Sequence, residues 1–221
     1  MLTYNNIKSI SIPLKDVILL GEICIPQKAI GLVIFSHGSG SSRLSPRNKY
    51  VAKILQEKGL ATLLFDLLTK EEDTVYENRF NIELLTKRLI EVTKWVKNQS
   101  ETSNFPIGYF GASTGAASAL KAAANLKSDI AAVVSRGGRP DLAMEDLKKV
   151  TAPTLLIVGG DDTIVIKLNK EAYQKLQCER SLEIIPNASH LFEEKGKLEK
   201  VAIQSAKWFV EKINAKIVDN V

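Results

Sequence analysis

Cysteine is nearly missing from this chain: Cys24 and Cys178 are the only two in 221 residues. That is too few for a disulfide framework, and they lie too far apart for a metal-binding pair, so a reducing, cytoplasmic setting is expected. Histidine is equally scarce, with only His37 and His190, which narrows the choice of a side-chain general base to two positions. No apolar run approaches the roughly 20 residues that span a bilayer; the longest candidate is Ala29 to Phe35, so no membrane partner is expected. Met1 to Ile10 mixes polar and apolar residues without the continuous apolar core of a signal peptide, and export by the usual route is not expected. A clustered basic stripe is also missing. The net charge of +5 comes from lysines scattered along the whole length, a pattern that does not imply nucleic-acid binding.

Short apolar runs alternate with stretches of helical period, the pattern of a parallel sheet covered by helices on both faces. Strands are expected at Ile7 to Ile12 and Val17 to Ile25, paired as an antiparallel edge hairpin, then at Gly31 to Ser36, Ala61 to Asp66, Ile107 to Gly111, Ile130 to Ser135, Thr154 to Val158 and Leu182 to Ile185. Helices are expected from Ser45-Pro46 to about Lys58, because proline suits the first helical turn, and at Asn81 to Asn98, Ser113 to Asn125, Asp141 to Val150, Ile166 to Leu176 and Leu198 to Ile213. Thr69 to Asn78 reads as a polar loop too short for a large lid. The fold class is therefore α/β, an eight-stranded and mostly parallel sheet in one domain over residues 1–221, with no large lid.

The strongest local signal is Gly111-Ala112-Ser113-Thr114-Gly115. It fits the Gly-x-Ser-x-Gly elbow and falls where that motif must fall, between a buried strand and a helix. Small flanking residues let a serine sit on a strained turn with its hydroxyl clear of the backbone. A serine hydroxyl is a weak nucleophile and needs a base, and in this motif's chain order the acid and then the histidine follow the serine. Only His190 satisfies that order. Between them, Gly159-Gly160-Asp161-Asp162 offers an acid to orient the imidazole. Asp162 is preferred, Asp161 reads as a cap or a solvent-facing residue, and Asp141 is the reserve.

The loop His37-Gly38-Ser39-Gly40-Ser41-Ser42 follows the third strand, from which such a site draws one backbone oxyanion donor. Ser39 is the candidate, paired with the N–H of Thr114 at a helix start. His37 reads either as a loop-bonding side chain or as a substrate contact. Four of the seven arginines fall in two loops, Arg43 and Arg47 in the first and Arg136 and Arg139 in the second. A guanidinium fork grips a carboxylate or phosphate at two points. Arg43, Arg136 and Arg139 therefore either hold an anionic substrate group or tie loops to acids such as Asp66 and Asp141.

With the elbow, the segment Ser36 to Arg43, the acid turn and Ser189-His190-Leu191-Phe192 in this order, the chain resembles the dienelactone hydrolase family of α/β-hydrolases over nearly its full length. It is most similar to a compact subgroup related to phosphoribosyltransferase-fused hydrolases, which shares Ser-Pro-Arg-Asn after the third strand and Ser-Arg-Gly-Gly-Arg-Pro-Asp after the sixth. The resemblance implies a Ser or Cys nucleophile, a His and an Asp, no metal or other cofactor, and hydrolysis of a small ester or lactone through an acyl-enzyme. The enzymes that name the family carry cysteine at the elbow; Ser113 stands there in this chain, which points away from dienelactone itself. A non-hydrolytic ligand-binding protein and an acyltransferase are the alternative readings of the same residues.

Overall fold

The computed structural model describes residues 7–219; of the amino-terminal stretch read above, Met1 to Asn6 lie outside them. Eight strands form one sheet: β1 (Ile7–Pro13), β2 (Ile18–Cys24), β3 (Gly31–Ser36), β4 (Leu60–Phe65), β5 (Ile107–Ala112), β6 (Ile130–Arg136), β7 (Thr154–Gly159) and β8 (Arg180–Ile185). Their order is β1-β2-β4-β3-β5-β6-β7-β8. β1 and β2 pair antiparallel, β2 joins β4 antiparallel, and every later pairing is parallel. Among the described residues no helix is long and apolar enough to cross a membrane.

The inner strands are apolar on both sides because both sides are covered. From β3, Leu32 and Ile34 enter one core with Leu85, Leu89, Val92 and Val96 of α3 (Ile82–Lys97) and with Leu120 of α4 (Thr114–Leu126). Val33 and Phe35 enter the other core with Val51 and Leu55 of α1 (Pro46–Glu57) and with Phe209 and Ile213 of the long carboxyl-terminal helix. At Gly108 a β-carbon would lie 2.7 Å from the Phe209 ring, so the strand omits one to seat that helix.

Four expectations for the segments between and after the strands change. The polar loop after β4 contains a short helix, α2 (Lys70–Asp73), and a 3₁₀ turn, Tyr76–Phe80. Thr69 and Glu72 cap α2 reciprocally, and Arg88, almost fully buried, binds Glu72 at 2.7 Å. The stretch Asp141 to Val150 is two 3₁₀ turns, Pro140–Ala143 and Leu147–Lys149. The helix after β7, α5 (Thr163–Lys175), starts three residues before its expected first residue, Ile166; Asp162 stands at its N-cap position without making a side-chain capping bond. The last helix, α6 (Lys197–Asp219), runs six residues past its expected end at Ile213.

β3 has β4 on one side and β5 on the other, so the chain leaves their carboxyl ends in opposite directions. A crevice opens at such a point in an open α/β sheet. The loop after β3 and the turn after β5 border it.

Candidate active site

Ser113 is the turn residue between β5 and α4, with φ 52° and ψ −122°, a region that L-residues enter at a cost of order 1–3 kcal/mol. Its neighbours enforce that conformation. A β-carbon on Gly111 would lie 2.4 Å from Ala116 Cα, and one on Gly115 would lie 2.1 Å from the Ser36 carbonyl oxygen. The Ser113 N–H donates to the Arg136 carbonyl at 3.2 Å, and the Arg139 N–H donates to the Ser113 carbonyl at 3.1 Å. Although Ser113 stands at an N-cap position, its hydroxyl makes no capping bond and is therefore available for chemistry.

His190 and Asp162 meet: His190 Nδ1 and Asp162 Oδ2 are 2.6 Å apart, with the acid side chain 15% exposed and the imidazole 37%. Backbone bonds set this meeting. The Gly160 N–H donates to Ile185 and the Asp161 N–H to Ala188, at 2.8 and 3.0 Å, stitching the acid turn to the segment that carries the histidine. At Gly159 a β-carbon would lie 2.3 Å from the Ala188 carbonyl oxygen, so this close approach needs glycine. Of the three carboxylates considered, Asp161 is exposed, Asp141 is taken by Arg139, and Asp162 reaches the ring. The imidazole lies over Gly137, whose added β-carbon would be 3.4 Å from His190 Cε1. Gly137 directly follows the residue that accepts the Ser113 N–H. Ser113 follows β5 and His190 follows β8, with β6 and β7 between them in the sheet, and the imidazole reaches back to Gly137 at the end of β6; among the described residues the ring's hydrogen bond is to Asp162 and none joins it to the Ser113 hydroxyl. Such contacts are commonly loose until substrate binds.

The oxyanion expectation is altered in one respect. Thr114 opens α4, so its N–H has no acceptor within the helix. The Ser39 N–H, however, donates to Thr114 Oγ1 at 2.8 Å and is occupied as it stands. The elbow motif signals the backbone donor and says nothing of this hydroxyl. His37 ties loops: the Leu67 N–H donates to its Nε2 at 3.0 Å, which leaves Nδ1–H to donate to the Gly38 carbonyl at 3.0 Å. Burial pushes its pKa down. With both nitrogens engaged, the ring has none to offer a substrate, contrary to the contact considered above.

The arginines divide. Arg43 pairs with Asp66 through its side chain and its backbone N–H. Arg139 grips Asp141 at two points, 2.9 and 2.8 Å, and that bonding raises its pKa. These two tie loops instead of standing ready for an anion. Arg47 bonds Glu193 at 2.9 Å. Arg136 is buried against the Phe192 ring; burial first and nearby Arg47 second push its pKa down to about 10. A cavity of about 800 Å³ lies beside the loop after β3, lined by His37, Ser41, Arg43, Asp66, Leu68 and Thr69 among others. Among the described residues no three His, Cys, Asp or Glu side chains gather as a metal-binding group.

Residues 29–218 match the family described as alpha/beta hydrolase domain. A crystal structure of dienelactone hydrolase from Anabaena variabilis is 50% identical, with a TM-score of 0.93 over 95% of this chain and 99% of that one. A protein of Mycobacterium tuberculosis, provisionally named a phosphoribosyl transferase, is 54% identical over 86% of this chain; the match covers 43% of that protein, so this chain spans less than half the length of such relatives. A lidless α/β serine hydrolase from Xanthomonas campestris shares the fold at 22% identity, with a TM-score of 0.75 over 94% of this chain and 97% of that one. The chain belongs to the α/β hydrolase domain family, among its dienelactone-hydrolase-like members.

Proposed function

We propose that this chain is a serine hydrolase that cleaves small carboxylic esters or lactones through an acyl-enzyme. The observation that carries the reading is the 2.6 Å contact of Asp162 with His190, whose ring abuts Gly137, the residue after the one that accepts the N–H of the elbow serine. Asp162 holds Nδ1–H of the ring, which leaves Nε2 to accept a proton. Ser113 Oγ attacks the carbonyl carbon as Nε2 takes its hydrogen. The oxygen that becomes negative is met by the Thr114 N–H at the positive end of α4. Collapse breaks the bond to the alkoxide, which leaves with the proton from His190. A water molecule then repeats the sequence on the acyl-serine, and the products are an alcohol and a carboxylic acid. In a lactone both groups remain in one molecule. A partly exposed Ser113 and a loop after β4 tied down by Arg88 favour small or extended substrates over bulky ones.

The test is hydrolysis of nitrophenyl acetate and butyrate by wild type and by Ser113→Ala, alongside labelling with a fluorophosphonate. The expected result is turnover and labelling in wild type and loss of both in a folded Ser113→Ala protein. A wild type that neither labels nor hydrolyses would favour a ligand-binding protein. Labelling accompanied by ester consumption only when an added alcohol or amine is present would favour acyl transfer.

A further inference from the structure

Asn169 is a polar side chain in a place that suits an apolar one. It is fully buried in the middle of α5, whose buried residues are Val165, Asn169 and Ala172. Asparagine is a poor helix former, and a carboxamide taken out of water must recover its hydrogen bonds inside the protein. Its nitrogen does so: Nδ2 donates to the Val165 carbonyl at 2.8 Å and to the Gly138 carbonyl at 3.0 Å. Its oxygen does not, for Oδ1 is sealed from solvent without a donor. A leucine has the same branching, favours the helix and leaves no polar atom unpaired. The bond to Val165 stays within α5 and does not account for the residue. The bond to Gly138 joins α5 to the loop after β6.

Both ends of that bond belong to the site. Asp162 stands at the N-cap of α5, but its side chain makes no capping bond and turns to His190 instead. Asn169 follows Asp162 by two helical turns and so lies close to the same face of the helix. The other two buried side chains of α5 are small, so the helix owes part of its seating to the amide. At the far end, Gly138 lies in the segment that holds Ser113 from both sides: the Arg136 carbonyl accepts the Ser113 N–H, and the Arg139 N–H donates to the Ser113 carbonyl. Gly137, next in that segment, abuts the His190 ring. A β-carbon on Gly138 would lie 1.9 Å from Ser135 Oγ and 2.7 Å from Ala116 Cβ. This peptide is therefore wedged between the end of β6 and the first turn of α4, and Asn169 closes the third side.

We propose that Asn169 is a positioning residue for the hydrolysis: its amide locks α5, and the Asp162 turn with it, to the segment that brackets Ser113. Acid, base and nucleophile then keep one alignment although they follow three different strands, β7, β8 and β5. The role in turnover rests on the serine-hydrolase reading above; the clamp itself does not.

Two variants test it. Asn169→Leu removes both donations, and Asn169→Ser keeps a hydroxyl that can bond back to Val165 but is too short to reach Gly138. In both, kcat on nitrophenyl acetate is expected to fall about 10-fold to 100-fold with KM nearly unchanged, the cost of a misplaced reacting group. A partly unfolded sample would show the same split, so the fluorophosphonate reaction is followed to its end. A misaligned site labels every molecule slowly. A sample in which some molecules stay unlabelled and the rest react at the wild-type rate overturns the proposal, as does a wild-type kcat in either folded variant or a loss confined to KM.

Amide hydrogen exchange decides the clamp without reference to turnover. The Ser113 and Arg139 N–H groups of Asn169→Leu are expected to exchange at least ~10-fold faster than in wild type, with Val33 and Ile34 of β3 unchanged. Equal rates at Ser113 and Arg139 overturn the clamp. Faster exchange in the variant, beside a wild type that neither labels nor hydrolyses, keeps the clamp and overturns the serine-hydrolase reading. Should Asn169→Leu fail to fold, Asn169→Ser, which only shortens the side chain, decides through both measurements.

Discussion

The backbone N–H of Ser39 donates to the hydroxyl of Thr114 at 2.8 Å, joining the loop after β3 to the residue that follows Ser113. Thr114 Oγ1 therefore stands as an acceptor in front of the N–H assigned to the oxyanion, and its own proton is free to be donated. If the hydroxyl passes the polarisation of Ser39 on to the substrate, removing it damages the transition state more than binding. Thr114→Val is expected to lower kcat about 10-fold to 100-fold with little change in KM, less than the loss of a direct oxyanion donor. Thr114→Ser should restore most of the loss. A valine variant with unaltered kcat would mean that the hydroxyl swings away and Ser39 acts directly.

Asp162 is the carboxylate that meets His190, and in the proposed mechanism it fixes the ring with Nδ1 protonated. Asp162→Asn keeps the shape and can donate to Nδ1, which stabilises the wrong tautomer. A fall in kcat on the order of 10⁴-fold is expected. Asp161→Asn, at an exposed position beside it, should stay near wild type. Steady-state kinetics on nitrophenyl acetate check both variants, and equal losses would move the orienting acid away from Asp162.

Much of this arrangement is legible in the sequence, and its limits are physical. β3, β5 and β7 are recognisable because strands covered on both faces are continuously apolar. The elbow is recognisable because glycine is required where a β-carbon would meet the Ser36 carbonyl oxygen. The acid turn is narrowed to neighbouring aspartates, and the direction of a single side chain then decides between them. Spacing does not say which arginines find acids. Arg139 has Asp141 two residues away, Arg43 needs Asp66 from the next strand end, and Arg136 has no acid among the described residues. The bond from Ser39 to Thr114 depends on one side-chain rotamer, which carries no periodic or compositional mark. The expected helix after β6 is two 3₁₀ turns instead; an apolar pattern over ten residues does not distinguish one continuous helix from two tight turns.

His37 links stability to pH. Its folded pKa lies below the ordinary value near 6.5, chiefly through burial, so the unfolded chain takes up the proton first as pH falls. The unfolded state then holds more protons, and the stability present above pH 6.5 drains away on acidification towards the folded pKa. Thermal midpoints measured from pH 7.5 to pH 5 are expected to fall more steeply for wild type than for His37→Gln, whose amide oxygen can still accept the Leu67 N–H. Parallel curves would mean that the ring titrates alike in both states.

Gly115 and Gly40 separate a packing requirement from a conformational one. At Gly115 a β-carbon would lie 2.1 Å from the Ser36 oxygen and 2.4 Å from the His37 oxygen. Both are backbone atoms at the end of β3, so Gly115→Ala must push the strand end or the elbow aside. A loss of about 2–4 kcal/mol in denaturant unfolding is expected. Any protein that still folds should lose activity as well, because the displaced strand end carries the loop that bonds Thr114. Gly40 has φ +67° and open space where the β-carbon would go. Gly40→Ala meets no atom and carries only the strain of a left-handed residue, about 1–2 kcal/mol. Urea melts of both variants, with ester turnover measured on the folded protein, check the contrast. Equal losses at the two positions would contradict the close contact between the elbow and β3, on which the alignment of Ser113, Thr114 and Ser39 depends.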